Sequence, residues 1–153
     1  MNRKLIYMLY AILYFLVTAA VLGCSEDTPQ ISIEDSKFIP SPMLIGRASS
    51  FMKIVNHGKG RDSLKGCLIK EHPSVRCEIH ESVDGRMVRI KNVDILPEHD
   101  TDLNMGGIHL MFFKLPEKIE EKVTLLLLFQ KSGKIEVKVP VSMMTGHAMH
   151  HKE

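Results

Sequence analysis

His109 and Met111 stand two positions apart in the run Met105-Gly106-Gly107-Ile108-His109-Leu110-Met111. On an extended strand their side chains leave one face about 6–7 Å apart, while Ile108, Leu110 and Phe112 turn the other way, into a core. An imidazole beside a thioether is a poor acid–base pair, because the thioether exchanges no proton. It is a good start for a soft-metal site, since thioethers favour Cu(I) and imidazole accepts copper readily. Two upstream residues have the same chemistry and the right parity. His80 shares a face with Glu78, opposite Ile79; Met87 shares a face with Arg89, opposite Val88 and Ile90. With Val88 and Ile90 filling the core, Met87 points outward, where burial adds little to a methionine's worth. The Asp84-Gly85 pair is a hairpin signal that folds Met87 back toward His80. Each residue alone has a plainer role, Met as core filler and His as a surface group. Together, His80, Met87, His109 and Met111 offer two imidazoles and two thioethers.

Short alternating segments must position these residues. Ile31–Asp35 begins one that Pro40-Ser41-Pro42 stops, and Ser50–Asn56 is another, closed by His57-Gly58-Lys59-Gly60. Ser63–Ile69, Val75–Glu81, Arg86–Ile90 and His109–Phe113 follow, then the apolar Val123–Gln130, a turn at Lys131-Ser132-Gly133-Lys134, and the alternating Ile135–Val141. No segment carries a 3.6-residue period of helical length. Short strands separated by Gly, Pro, Asn and Asp imply an all-β sandwich, with Val123–Phe129 as a central strand buried on both sides.

The chain has 153 residues, enough for one domain with appendages. Arg3 and Lys4 precede an apolar run from Leu5 to Leu22, the pattern of a secretory leader. Val21-Leu22-Gly23-Cys24 resembles a bacterial lipobox, which makes residues 1–23 a signal peptide and Cys24 the lipidated first residue of the mature protein. An uncleaved membrane anchor and plain secretion are the alternatives, and all three put the domain outside the cytoplasm. Residues 24–30 read as a tether, 31–141 as the domain and 142–153 as a tail. Removing residues 1–23 takes Arg3 and Lys4 and no acid, leaving basic and acidic residues equal at 18 each. A nucleic-acid binder would carry a basic excess. Cys67 and Cys77 remain after Cys24, and an oxidising compartment favours one disulfide between them. Soft copper ligation is the alternative. Parity opposes it for Cys77, which on one strand with His80 would face the other way.

In order along the chain, these residues resemble the signature of the periplasmic copper chaperone family PCu(A)C, proteins that serve the CuA centre of cytochrome oxidase. That signature is a His, a Met about ten residues later, then twenty-one residues and His-x-Met. Here 21 residues separate Met87 from His109, and Met111 completes the His-x-Met. Arg76-Cys77-Glu78-Ile79-His80-Glu81, Gly106-Gly107-Ile108-His109, Leu127-Leu128-Phe129-Gln130-Lys131-Ser132-Gly133 and Ile135-Glu136-Val137-Lys138-Val139-Pro140-Val141 extend the resemblance over most of residues 31–141. There are departures. Only six residues separate His80 from Met87, Glu81 and Ser82 stand where the family often has Met, and Met105 replaces the usual Pro before the glycine pair.

The resemblance implies a cupredoxin-like, Greek-key β-sandwich that binds Cu(I) through His80, Met87, His109 and Met111, with Met105 as an auxiliary thioether at the rim. It implies a membrane-anchored chaperone rather than an enzyme, delivering copper to an acceptor such as the oxidase CuA subunit or a thiol copper chaperone. The tail adds Met143, Met144, His147, Met149, His150 and His151, an auxiliary arm whose imidazoles suit Cu(II) and whose thioethers suit Cu(I). The competing reading is a secreted β-sandwich adhesion or scaffold module that uses no metal.

Overall fold

The computed structural model describes residues 27–142 and Arg3. The leader, Cys24 and the tail residues Met143, Met144, His147, Met149, His150 and His151 lie outside the described residues. Ten strands account for most of the rest: β1 Ile31–Pro40, β2 Arg47–Asn56, β3 Asp62–Ile69, β4 Arg76–Val83, β5 Arg86–Ile90, β6 Val93–Ile95, β7 His99–Leu103, β8 Ile108–Phe113, β9 Lys122–Phe129 and β10 Lys134–Pro140. Among the described residues no helix is long and apolar enough to cross a membrane.

The strands form two sheets. The larger runs β1-β2-β8-β4-β5, with β7 also paired to β2; the smaller runs β10-β9-β3-β6. Alternation builds the core between them. Leu110 and Phe112 from β8, Ile79 from β4 and Ile54 from β2 meet Leu64 and Ile69 from β3 and Val123, Leu125 and Leu127 from β9. All of these are fully or almost fully buried. The apolar β9 is central in its sheet, as its composition implies, though Leu126 and Leu128 on its outer face are only partly covered. Cys67 on β3 and Cys77 on β4 form a disulfide, Cα atoms 5.6 Å apart, which ties one sheet to the other.

Two strands have no counterpart in the sequence pattern. β6 is three residues long, too short to show a period, and β7 (HDTDL) is mostly polar and exposed. A third difference concerns β5. Val88 does not fill the core; it is half-exposed, and only Ile90 packs against the interior. β5 is the edge of its sheet, so the apolar layer thins out there. The hairpin signal holds: Asp84 and Gly85 both have positive φ, 50° and 74°, which matches the twist of a tight antiparallel turn.

Candidate metal centre

β4 and β8 pair in a register that sets His80 directly opposite His109 and Glu78 directly opposite Met111. On the other side of β4, Arg89 lies opposite His80 and Met87 opposite Ser82. β2 flanks β8 with Ser49 opposite Met111. Strand alternation therefore sends Glu78, His80, Met87, Arg89, His109, Met111 and Phe113 to the outer face of the larger sheet. His80, Met87, His109 and Met111, far apart in sequence, share that face. Cys77 is turned to the opposite face, packed against the core and held by Cys67.

This outer face is not an open patch. His109 is 3% exposed, Met111 is buried and His80 is largely covered. The covering groups are aromatic. The Phe51 ring lies 6.0 Å from that of His109, and the Phe113 ring lies 6.0 Å from that of His80. Phe113 is in turn capped by the guanidinium groups of Arg76 and Arg47, 4.7 and 5.4 Å from its centroid. Of the four, only Met87, 61% exposed at the sheet edge, is open to water. Met105 is 70% exposed in the turn that precedes β8.

Hydrogen bonds fix which ring nitrogens carry lone pairs. His109 Nδ1 lies 3.0 Å from the carbonyl oxygen of Gly107. A carbonyl only accepts, so Nδ1 donates and the lone pair is on Nε2. His80 Nε2 lies 2.9 Å from a carboxylate oxygen of Glu78. The hydrogen bond to His80 holds that carboxyl below the usual glutamate range; burial works against the shift, and Arg76 and Arg89 reinforce it. Glu78 is therefore an ionised acceptor, and the free lone pair of His80 falls on Nδ1. That nitrogen is buried and has no hydrogen-bond partner, the only such side-chain atom among the described residues. Leaving a buried polar atom unsatisfied costs about 1–3 kcal/mol.

A buried imidazole nitrogen without a hydrogen-bond partner has the chemistry of a metal ligand when its ring is neutral. The ring centroids of His80 and His109 are 6.4 Å apart. With metal–imidazole bonds of about 2 Å, a single ion between them could be reached by one nitrogen of each after a small side-chain adjustment. Met111 adds a neutral sulfur from beside His109. Among the described residues no group of three His, Cys, Asp or Glu side chains is placed to hold a metal ion. Two imidazoles and a thioether are donors whose softness suits a monovalent ion such as Cu(I).

Sequence reasoning missed the partners that prepare these nitrogens. Glu78 was legible as a residue on the face of His80, but nothing in the pattern said that its carboxylate would be buried against the ring. The Gly107 carbonyl follows from a turn conformation, and Phe51 arrives from a strand more than fifty positions before His109, with no local signal.

Residues 31–141 match the model of a protein family described as LpqE-like lipoproteins. No curated protein matches the sequence. Solved structures match in fold. The copper-bound PCuAC domain from PmoF2 is 20% identical, with TM-score 0.62 over 76% of this chain and 98% of that one. The apo PCuAC domain from PmoF1 is 17% identical, with TM-score 0.62 over 76% and 99%. The solution structure of CuI-DR1885 from Deinococcus radiodurans is 17% identical, with TM-score 0.59 over 83% and 87%. At these identities the likeness establishes the cupredoxin-like sandwich.

Proposed function

The chain belongs to the LpqE-like lipoprotein family and has the fold of PCuAC domains, and from this premise we propose that it is an extracytoplasmic copper chaperone. Its cargo is Cu(I), taken by His80, Met87, His109 and Met111. Its task is delivery to an acceptor protein, such as the oxidase subunit that carries CuA or a thiol copper chaperone. Cys24 carries the lipid that anchors it to the membrane. No covalent chemistry is asked of the protein; it binds, holds and releases.

The observation that carries this reading is the buried, unpartnered Nδ1 of His80, in a ring 6.4 Å from that of His109 on the strand pair that also carries Met111. Thioethers stay neutral at every physiological pH, while the imidazoles must be unprotonated to bind, so affinity falls as pH drops through the histidine range. No thiolate lies on this face, which keeps the ion less tightly held than in a cysteine-bearing carrier and suits a donor that must let go. Met87 is the exposed ligand and the natural first point of exchange: an acceptor's donor atom displaces it while the buried groups still hold the ion. Met105 serves as an auxiliary thioether, and the Met143–His151 stretch serves as a second copper arm, Cu(II) on its imidazoles and Cu(I) on its thioethers.

The test is a Cu(I) competition titration. One ion should bind per folded domain, and His109→Ala and Met111→Ala should each weaken it by at least about tenfold. Unchanged affinity in both variants, each verified as folded, overturns the assignment. Unaltered thermal unfolding on Cu(I) addition would favour a scaffold module instead, because a ligand of the native state raises its stability by mass action.

A further inference from the structure

The segment before β1, which the sequence presents as a loose tether, is built into the domain. The Gln30 carbonyl accepts from the His57 amide at 2.9 Å, and the Thr28 carbonyl accepts from the Gly60 amide at 3.2 Å. Asn56, 1% exposed, is the centre of this contact. Its Oδ1 accepts from the amides of Gln30 and Gly58, both at 3.0 Å; its Nδ2 donates to the carbonyls of Gly60 and Leu96 at 2.8 and 3.0 Å. Every hydrogen-bonding position of that amide is used. The glycines are required by the close approach of two backbones. A Cβ at Gly58 would run into the Thr28 carbonyl and the Gln30 amide, and one at Gly60 into the Asp27 carbonyl. A turn that could be any polar sequence is instead shaped around residues 27–30.

We propose that Asn56, Gly58 and Gly60 form a clasp that fixes the anchoring segment to one pole of the sandwich, so that this pole rests on the lipid surface and holds the metal face at a set distance from it. The inference rests on the membrane anchor at Cys24 in the proposed function. Between Cys24 and the clasped Asp27 lie two residues, a reach of no more than about 11 Å. Exposed Lys59, Arg61 and Lys131 at this pole are matched by exposed Asp27, Asp94, Glu98 and Asp100, so the short linker and not net charge brings the pole to the surface. From Asn56 the sheet runs away from the pole. Phe51, the neighbour of His109, is about 17 Å along β2, and the β1–β2 loop with its exposed Met43 and Ile45 is about 30 Å or more away. The metal face would stand out from the bilayer at a fixed height, turned toward a soluble or membrane-bound acceptor, instead of drifting on a leash.

The experiment uses the full chain with its native anchor, reconstituted in vesicles of phosphatidylethanolamine and phosphatidylglycerol with an acceptor dye on the headgroups. A donor dye is placed on a cysteine introduced by Lys131→Cys or by Ile45→Cys. Transfer from position 131 should exceed transfer from position 45 several-fold, and adding Gly60→Ala should bring the two toward equality. Equal transfer from both positions with the clasp intact overturns the proposal. Hydrogen exchange on the same samples supplies a second measure: the Gln30 and His57 amides should be protected, and lose at least tenfold in protection with Gly60→Ala. Where Gly60→Ala does not fold, Gln30→Pro removes one clasp donor at the edge of β1 and should have the same effect on energy transfer and on protection of the His57 amide. Protein that is not retained by vesicles overturns the anchor and the stand-off together, while exchange at Gln30 still decides whether the clasp exists.

Discussion

The two halves of the candidate centre are built by opposite means. His80, His109 and Met111 come from adjacent inner strands, are covered by Phe51 and Phe113, and have their ring nitrogens assigned by Glu78 and the Gly107 carbonyl. Met87 comes from the edge strand β5, is 61% exposed and has no such support. Preorganisation lowers the cost of binding on the first side. On the second, mobility and access lower the barrier to exchange. A copper carrier as proposed would need both, and the candidate centre separates them across one strand-to-strand step.

If that division is correct, the largest loss comes from the buried half. His109→Ala should weaken Cu(I) by at least about tenfold, with the double variant His80→Ala/His109→Ala leaving no measurable site in the domain. Next comes Glu78→Gln, which keeps an oxygen acceptor but loses the charge that commits His80 Nε2 to donation. Changes to such supporting groups typically cost about 10-fold or somewhat more in metal affinity, and nitrogen chemical shifts of the His80 ring should show a mixture of tautomers in the metal-free protein at neutral pH. A ring that keeps one tautomer in this variant would remove Glu78 from the account. Met87→Ala should be the mildest in affinity, a few-fold at most on the scale of one solvent-exposed ligand, yet it should slow transfer to an acceptor more than it weakens binding. Should Met87→Ala match His109→Ala in affinity, the contrast between the halves is lost.

Acid separates cargo from fold in the same way. Burial tends to raise the Asp62 carboxyl, but hydrogen bonds from the Ser132 hydroxyl and the Lys131, Ser132 and Ser63 amides outweigh it, and the group titrates below the usual aspartate range. A carboxyl depressed in the folded state contributes stability that is whole above its unfolded value and is lost as pH falls through its lower folded value. Imidazoles as a class take up protons in milder acid than carboxylates do, and they must be neutral to hold copper. Copper should therefore leave while the sandwich is intact, seen as loss of bound Cu(I) with unchanged near-ultraviolet circular dichroism. Asp62→Asn should flatten only the acid end of the stability curve and leave copper release where it was.

Much of the sandwich was legible because period-two alternation is a local property. Ile79, Leu110 and Phe112 sit where parity puts them, and Asp84-Gly85 turns as its φ preferences require. β6 and β7 were not, since three residues show no period and HDTDL carries no apolar face. Val88 shows the limit from another side: an apolar residue at an inward position is buried only if the opposite sheet reaches it.

The order of residues along the chain was enough to say which side chains carry soft-metal chemistry and which face of a strand each would take, because both follow from residue type and the pleat. It could not say that His80 stands across from His109, that two phenyl rings dry the pair, or that Glu78 leaves Nδ1 of His80 without a partner. Those depend on strand pairing and on packing between segments tens of residues apart. There the free energy of burial, not any local preference, chooses the register.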